Sequence, residues 1–237
     1  MKLRDNGIST VELWLEKAPP KRGKLQWKDG RSAKELARYI TAALPDVPSE
    51  MEAVLSHFVS KDASFEWEAE HITDFALYDL GRGEGRNHDA FLENEKLVVG
   101  IEAKADEAFG SQCIKRALNK ASDNKIHRVN GMIDMLFGDS PENHMPIRYQ
   151  LVTAACATLL EAKKRELKKA VLMVIVFKKQ GCYCEEKIAR NEKDIQAFLD
   201  HSGATKAGDG AYWIVPTVYG KQHGIDLYFS EITIELP

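Results

Sequence analysis

The chain alternates between two hydrophobic periods, and each change of period marks an element. STVELWLEK (9–17) is a short amphipathic piece, and APPKRGKLQWKDG (18–30) reads as a loop. Leu36, Ile40, Ala43 and Leu44 recur at helical spacing behind Ser32-Ala33-Lys34-Glu35, an S-x-x-E capping box, which predicts a helix over 33–44. Pro45 and Pro48 end it. Ser49 and Glu52 repeat the capping pattern ahead of Met51, Val54, Leu55 and Phe58, predicting a second helix over 50–59. FEWEAEH (65–71) then alternates strictly. A period of two predicts a strand with Phe65, Trp67, Ala69 and His71 on one face and Glu66, Glu68 and Glu70 on a solvated one. GRGEGRN (81–87) reads as a turn or loop. HDAFL and LVVGIEAK follow as two more strands joined by an ENEK turn, so 65–104 forms an antiparallel three-strand meander.

Residues 105–147 read as a helical insertion, with a helix near 111–121, an apolar piece GMIDMLFG and a turn-rich loop DSPENHMP. RYQLVTAACATLLEAKKRELKKA (148–170) predicts one long helix whose stripe of Leu151, Ala154, Ala155, Leu159 and Ala162 packs closely on a sheet. VLMVIVF (171–177) suits a strand covered on both faces. A helix near 191–201 and strands in YWIVPTV and IDLYFSEITIEL complete the chain, with C-terminal strands over about 211–236. The expected fold is α/β: a mixed sheet with helices on both faces, most simply one domain over 1–237.

Composition agrees with a folded core. Of 237 residues, 44% are hydrophobic, and the net charge of −3 gives no bulk signal for nucleic-acid binding, although a local groove can still be basic. The longest apolar run, AVLMVIVF (170–177), is too short to cross a bilayer, and MKLRDNGIST lacks a signal-peptide core, so the expectation is a cytoplasmic protein. Four cysteines include Cys182-Tyr183-Cys184, but no second thiol pair completes a zinc site, and reduced thiols are expected. GRGEG lacks the strand-before, helix-after setting of a phosphate loop.

One stretch breaks the pattern of a core strand. LVVGI runs directly into Glu102, Ala103 and Lys104. Alternation puts Val98, Gly100, Glu102 and Lys104 on one face, with Glu102 and Lys104 about 7 Å apart along the strand. If 88–92 pairs as the hairpin neighbour, Asp89 reaches the same end. Two converging carboxylates repel unless a cation joins them. Hard oxygen ligands suit Mg²⁺ or Mn²⁺, and the carbonyl of Ala103 offers a further oxygen. A lysine beside such a metal can orient a water or neutralise charge developing on a phosphodiester.

Asp89, twelve residues, then Glu102-Ala103-Lys104 resembles the signature of the PD-(D/E)XK nuclease superfamily, the restriction-endonuclease-like fold. The order of helix, three-strand meander, helix and buried strand over about 33–180 supports the resemblance, and His88 stands where the signature has proline. The resemblance implies a metal-dependent nuclease, with DNA as the first expected partner, Asp89 and Glu102 as metal ligands and Lys104 as the catalytic lysine. It also implies a further acid, sought among Glu35, Glu52, Glu68 and Glu70, with Glu70 preferred as nearest the turn to Asp89. A polar residue on the following helix is matched by Gln150. Double-strand cutters of this kind often work as pairs, so a homodimer is an option. The competing expectations are a binding or scaffold protein that keeps the fold without turnover, and a different enzyme with its pocket elsewhere. Arg82, Arg86 and Lys96 lie near the motif and suit a nucleic-acid strand, and His71 and His88 flank it. KKRELKK (163–169) reads as the wet face of a helix rather than a phosphate contact.

Overall fold

The computed structural model describes residues 1–236 apart from 22, 24, 25, 84, 111 and 180–184, and of residue 185 the backbone alone. The Cys182–Cys184 pair therefore lies outside the described residues. The chain runs β1 (Lys2–Leu3), α1 (Val11–Lys17), α2 (Ser32–Ala43), α3 (Ser49–Leu55), β2 (Ser64–Thr73), β3 (Arg86–Glu93), β4 (Val98–Lys104), α4 (Ile114–Leu118) and α5 (Asp123–Phe137). It continues through α6 (Tyr149–Lys164), β5 (Lys169–Lys178), α7 (Glu185–Ser202), β6 (Thr205–Ala207), β7 (Tyr212–Val215), α8 (Val218–His223) and β8 (Asp226–Glu235). Among the described residues the strands join one eight-stranded mixed sheet in the order β1-β2-β3-β4-β5-β8-β7-β6. The meander β2-β3-β4 is antiparallel as expected, and β5 pairs parallel to both β4 and β8.

Each face of the sheet carries its own core. Leu172, Val174 and Val176 of β5 point into the cluster under α5, α6 and α7. Val171, Met173, Ile175 and Phe177 point into the cluster with Trp14, Leu36, Ile40 and Met51 of α1, α2 and α3. A continuous apolar strand is thus buried on both sides. The expected alternation of β4 also holds, with Val98 on the α6 side and Val99, Ile101 and Ala103 on the α2 side. Among the described residues no helix is long and apolar enough to cross a membrane.

Several local expectations are corrected. Ser32 is the first residue of α2 rather than its cap, and Glu35 instead accepts the Gly30 amide at 2.7 Å, because the loop before the helix curls back over its first turn. In α3 the cap position is Pro48, while Ser49 turns to Glu50 and Glu52 accepts the Met1 amino group at 2.9 Å. The long helix stops at Lys164 rather than 170. Glu166 takes a left-handed φ of 59°, and the Leu167 amide bonds back to Ala162 at 2.9 Å, closing the helix without a glycine. Lysine-rich sequence favours helix throughout that stretch, so no local signal marks the stop. β1, β6 and α8 are too short to show a period.

α6 lies close over the sheet because Gly100 faces it. A Cβ at Gly100 would sit 2.5 Å from Thr158 Oγ1 of α6 and 2.6 Å from Cε1 of His88. Gly100→Ala is expected to destabilise the protein by roughly 1–3 kcal/mol through overpacking, read as a lowered urea midpoint at unchanged slope. An unshifted midpoint would mean that α6 has room to spare.

Candidate active site

β2 and β3 keep one register across their length, with Ala69 opposite Ala90 and His71 opposite His88. The rung between them, Glu70 and Asp89, is unpaired, and Glu70 adopts φ 56°, a left-handed conformation costly for any residue but glycine. The alternation reverses across this rung. Ala69 packs toward the α2 side, yet His71 stacks on Phe91 of the α6 side at 4.2 Å and 16°. Ala90 belongs to the α2-side core, yet His88 lies against Gly100 and Thr158. The strict alternation expected through His71 therefore fails at Glu70, which is drawn inward instead of lying on a solvated face.

The break frees Asp89 from the ladder. Its Oδ2 accepts the Ala103 amide at 2.7 Å, standing in for the strand bond that would otherwise continue β3 along β4. Next to Ala103 on β4, Glu102 is wholly buried. Its Oε1 takes the Arg86 guanidinium and lies 3.6 Å from His88 Nδ1. Its Oε2 accepts Gln150 Nε2 at 2.9 Å and lies 3.8 Å from Lys104 Nζ. Lys104 is also buried, donates to the Ala103 carbonyl at 3.0 Å and sits 5.2 Å from the Phe109 ring centre. Asp89, Glu102, Ala103 and Lys104 are thus brought together, with Gln150 reaching in from the second residue of α6.

Among the four acids considered for a supporting role, Glu70 alone belongs to this cluster. Glu35 is held by Gly30 and Arg38, Glu52 by Met1, and Glu68 by His71 at 2.7 Å. Glu70 accepts the Asn87 side-chain amide. Arg82 and Lys96 do not reach the carboxylates by any contact seen among the described residues. Arg86 does, and its role on Glu102 was not anticipated. In the sequence it falls in the GRGEGRN stretch that reads as a turn, and only the start of β3 at Arg86 puts it on the strand face of His88, two residues on.

The electrostatics divide the acids into two kinds. Burial alone would push the Glu102 carboxyl up, but the Arg86 guanidinium, the His88 contact and the Lys104 charge outweigh it and hold the group at about 2. Asp89 is pushed up to about 6 by burial and by the Glu102 charge. Glu70 is pushed up to about 7 by burial and by the Asp89 charge. Burial lowers His88, whose two ring nitrogens are both buried without a hydrogen-bond partner. Among the described residues no three His, Cys, Asp or Glu side chains form a ready-made metal cluster. Asp89 and Glu70 nevertheless make no ion pair among the described residues, and a positive charge between them would relieve their mutual repulsion. Their oxygen donors are of the kind that a hard divalent cation takes.

The raised acids set a pH signature. Their protonated forms are favoured by folding, so their contribution is full below the unfolded values of 3.8 and 4.5 and is lost as pH rises through about 6 and about 7. Without metal, Glu70→Gln is expected to be more stable than wild type at pH 8 by on the order of 1–3 kcal/mol, and the gain should vanish near about pH 4. Urea unfolding across that range checks it. A difference constant with pH would show that the Glu70 carboxyl is unperturbed.

No curated protein and no solved structure matches the chain. Residues 7–236 match the family described as Domain of unknown function (DUF6946), and the chain belongs to that family.

Proposed function

We propose that the protein is a divalent-metal-dependent nuclease of the PD-(D/E)XK type with a restriction-endonuclease-like core, hydrolysing phosphodiester bonds, of DNA in the first instance. The observation that carries the reading is the meeting of Asp89, Glu102 and Lys104 at the shared end of β3 and β4. The order α2, β2-β3-β4, α6, β5 around that point supports the core assignment. So does Gln150, the polar residue sought on the following helix, which touches Glu102.

In this reading Asp89, Glu102 and the Ala103 carbonyl would hold Mg²⁺ or Mn²⁺, with Glu70 supporting them from the neighbouring strand. When bound, the cation lowers the pKa of water and offsets charge developing on the phosphate. Asp89 is fixed through the Ala103 amide, so the ligand pair is preorganised by the strand itself. Gln150 orients the Glu102 carboxylate from α6. The Lys104 ammonium, buried beside Glu102, would orient the attacking water. The water oxygen bonds to phosphorus, the bond to the 3′ oxygen breaks, and proton transfer leaves a 5′-phosphate and a 3′-hydroxyl. Arg86 on Glu102 favours the second reading, a nucleic-acid-binding protein without turnover, and the same experiment separates the two.

Supercoiled plasmid and labelled single strands are incubated with Mg²⁺, Mn²⁺ or EDTA, with wild type and Lys104→Ala in parallel. Metal-dependent cutting that falls at least about 100-fold in Lys104→Ala is the expected result. Cutting that survives the substitution rejects the site, and binding without cutting by wild type supports the second reading.

A further inference from the structure

Arg86 is the group whose placement the proposed chemistry does not require. It is the first residue of β3, held in register opposite Thr73, so its backbone is fixed by the sheet. Its guanidinium reaches Glu102 Oε1, the oxygen left open by Gln150 and Lys104 on Oε2. Its Nε is buried with no acceptor. A buried donor without a partner is costly, and here it belongs to a side chain otherwise engaged in a strong ion pair. Among the described residues the site holds three carboxylates, Glu70, Asp89 and Glu102, against two cations, Arg86 and Lys104.

We infer that Arg86 is an exchangeable occupant of the cation's place: it neutralises Glu102 in the metal-free protein and moves onto a non-bridging oxygen of the scissile phosphate when a divalent cation takes Glu102. The inference rests on the metal-dependent reading proposed above and adds to it a gate and a positioning residue. Three physical points carry it. A lone pair of Glu102 Oε1 cannot serve a guanidinium and a metal at full strength, and two cations on one carboxylate repel. The guanidinium fork, once released, fits two phosphate oxygens and gives its unpartnered Nε–H an acceptor. The residue stands three positions before Asp89 on the same strand, so its side chain needs rotation rather than backbone movement to leave Glu102. The site then admits metal readily only when a second anion is present to receive Arg86, which couples cation binding to substrate binding.

The consequence runs against the usual effect of deleting a polar site residue. Mn²⁺ binding is measured by calorimetry on the full chain for wild type, Arg86→Gln and Asp89→Asn, without nucleic acid. Arg86→Gln is expected to bind Mn²⁺ at least about tenfold more tightly than wild type, because the competing charge is gone. Equal or weaker binding by Arg86→Gln overturns the inference while leaving the nuclease reading in place, provided wild type binds Mn²⁺ and Asp89→Asn does not. Absence of Mn²⁺ binding in all three overturns both. Should Arg86→Gln not fold, ¹⁵N-arginine spectra of wild type decide the matter. The protected Arg86 guanidinium signal is expected to disappear or shift on adding Mg²⁺ with a short non-cleavable phosphorothioate strand, and its persistence unchanged overturns the inference.

Discussion

The burial of one carboxylate organises the site. Glu102 stands at the end of a strand covered by helices on both faces, where an unpaired charge would be untenable. Its compensation comes from three separate elements: Arg86 of β3, Lys104 of β4 itself and Gln150 of α6. The contact with Gln150 requires α6 to run close above the sheet, and Gly100 with the small residues of α6 makes that approach possible. Breaking a buried pair by removing one partner typically costs about 3–5 kcal/mol, so this carboxylate ties the meander to the helix that crosses it.

The second constraint is the interrupted rung. An unbroken β2-β3-β4 ladder would have held Asp89 in ordinary alternation and left Glu70 on the outer face. The left-handed Glu70 reverses both strands at one level and turns the two acids toward Glu102. Their environments then drive them apart chemically. Glu102 has the cations and stays ionised far below the usual range, whereas burial pushes Asp89 and Glu70 up, reinforced by the Glu102 charge on Asp89 and by the Asp89 charge on Glu70. Carboxyl groups so close together and so differently biased are a mark of functional sites.

Much of the frame was legible because it rests on long periodic signals. The meander, the helix over α6 and the doubly covered β5 each follow from a repeated spacing, and alternation alone placed Glu102 and Lys104 on one face. What escaped has a common cause: it depends on single residues acting against the local pattern. Strict alternation in FEWEAEH gives no sign that Glu70 will take φ 56°. The capping boxes at Ser32 and Ser49 have the right residues, but tertiary partners claimed Glu35 and Glu52 first. Arg86 falls in a glycine-rich stretch that reads as loop, and only the pairing of Thr73 with Arg86 shows that β3 begins there.

The cost of this arrangement bears on what it is for. A buried ion pair is generally no more stabilising than apolar residues of the same volume, and a left-handed glutamate adds strain without any packing gain. Six ionisable groups, Glu70, Arg86, His88, Asp89, Glu102 and Lys104, gathered at the end of deeply covered strands therefore do not follow from the needs of the core. Elsewhere, as along β5, the same sheet fills its buried positions with apolar side chains. Here it joins excess negative charge to a buried lysine and leaves donors on Arg86 and His88 unmet. Unspent hydrogen-bonding capacity and uncompensated carboxylates at one point are what the proposed reading, with a cation and a phosphate supplied from outside, accounts for.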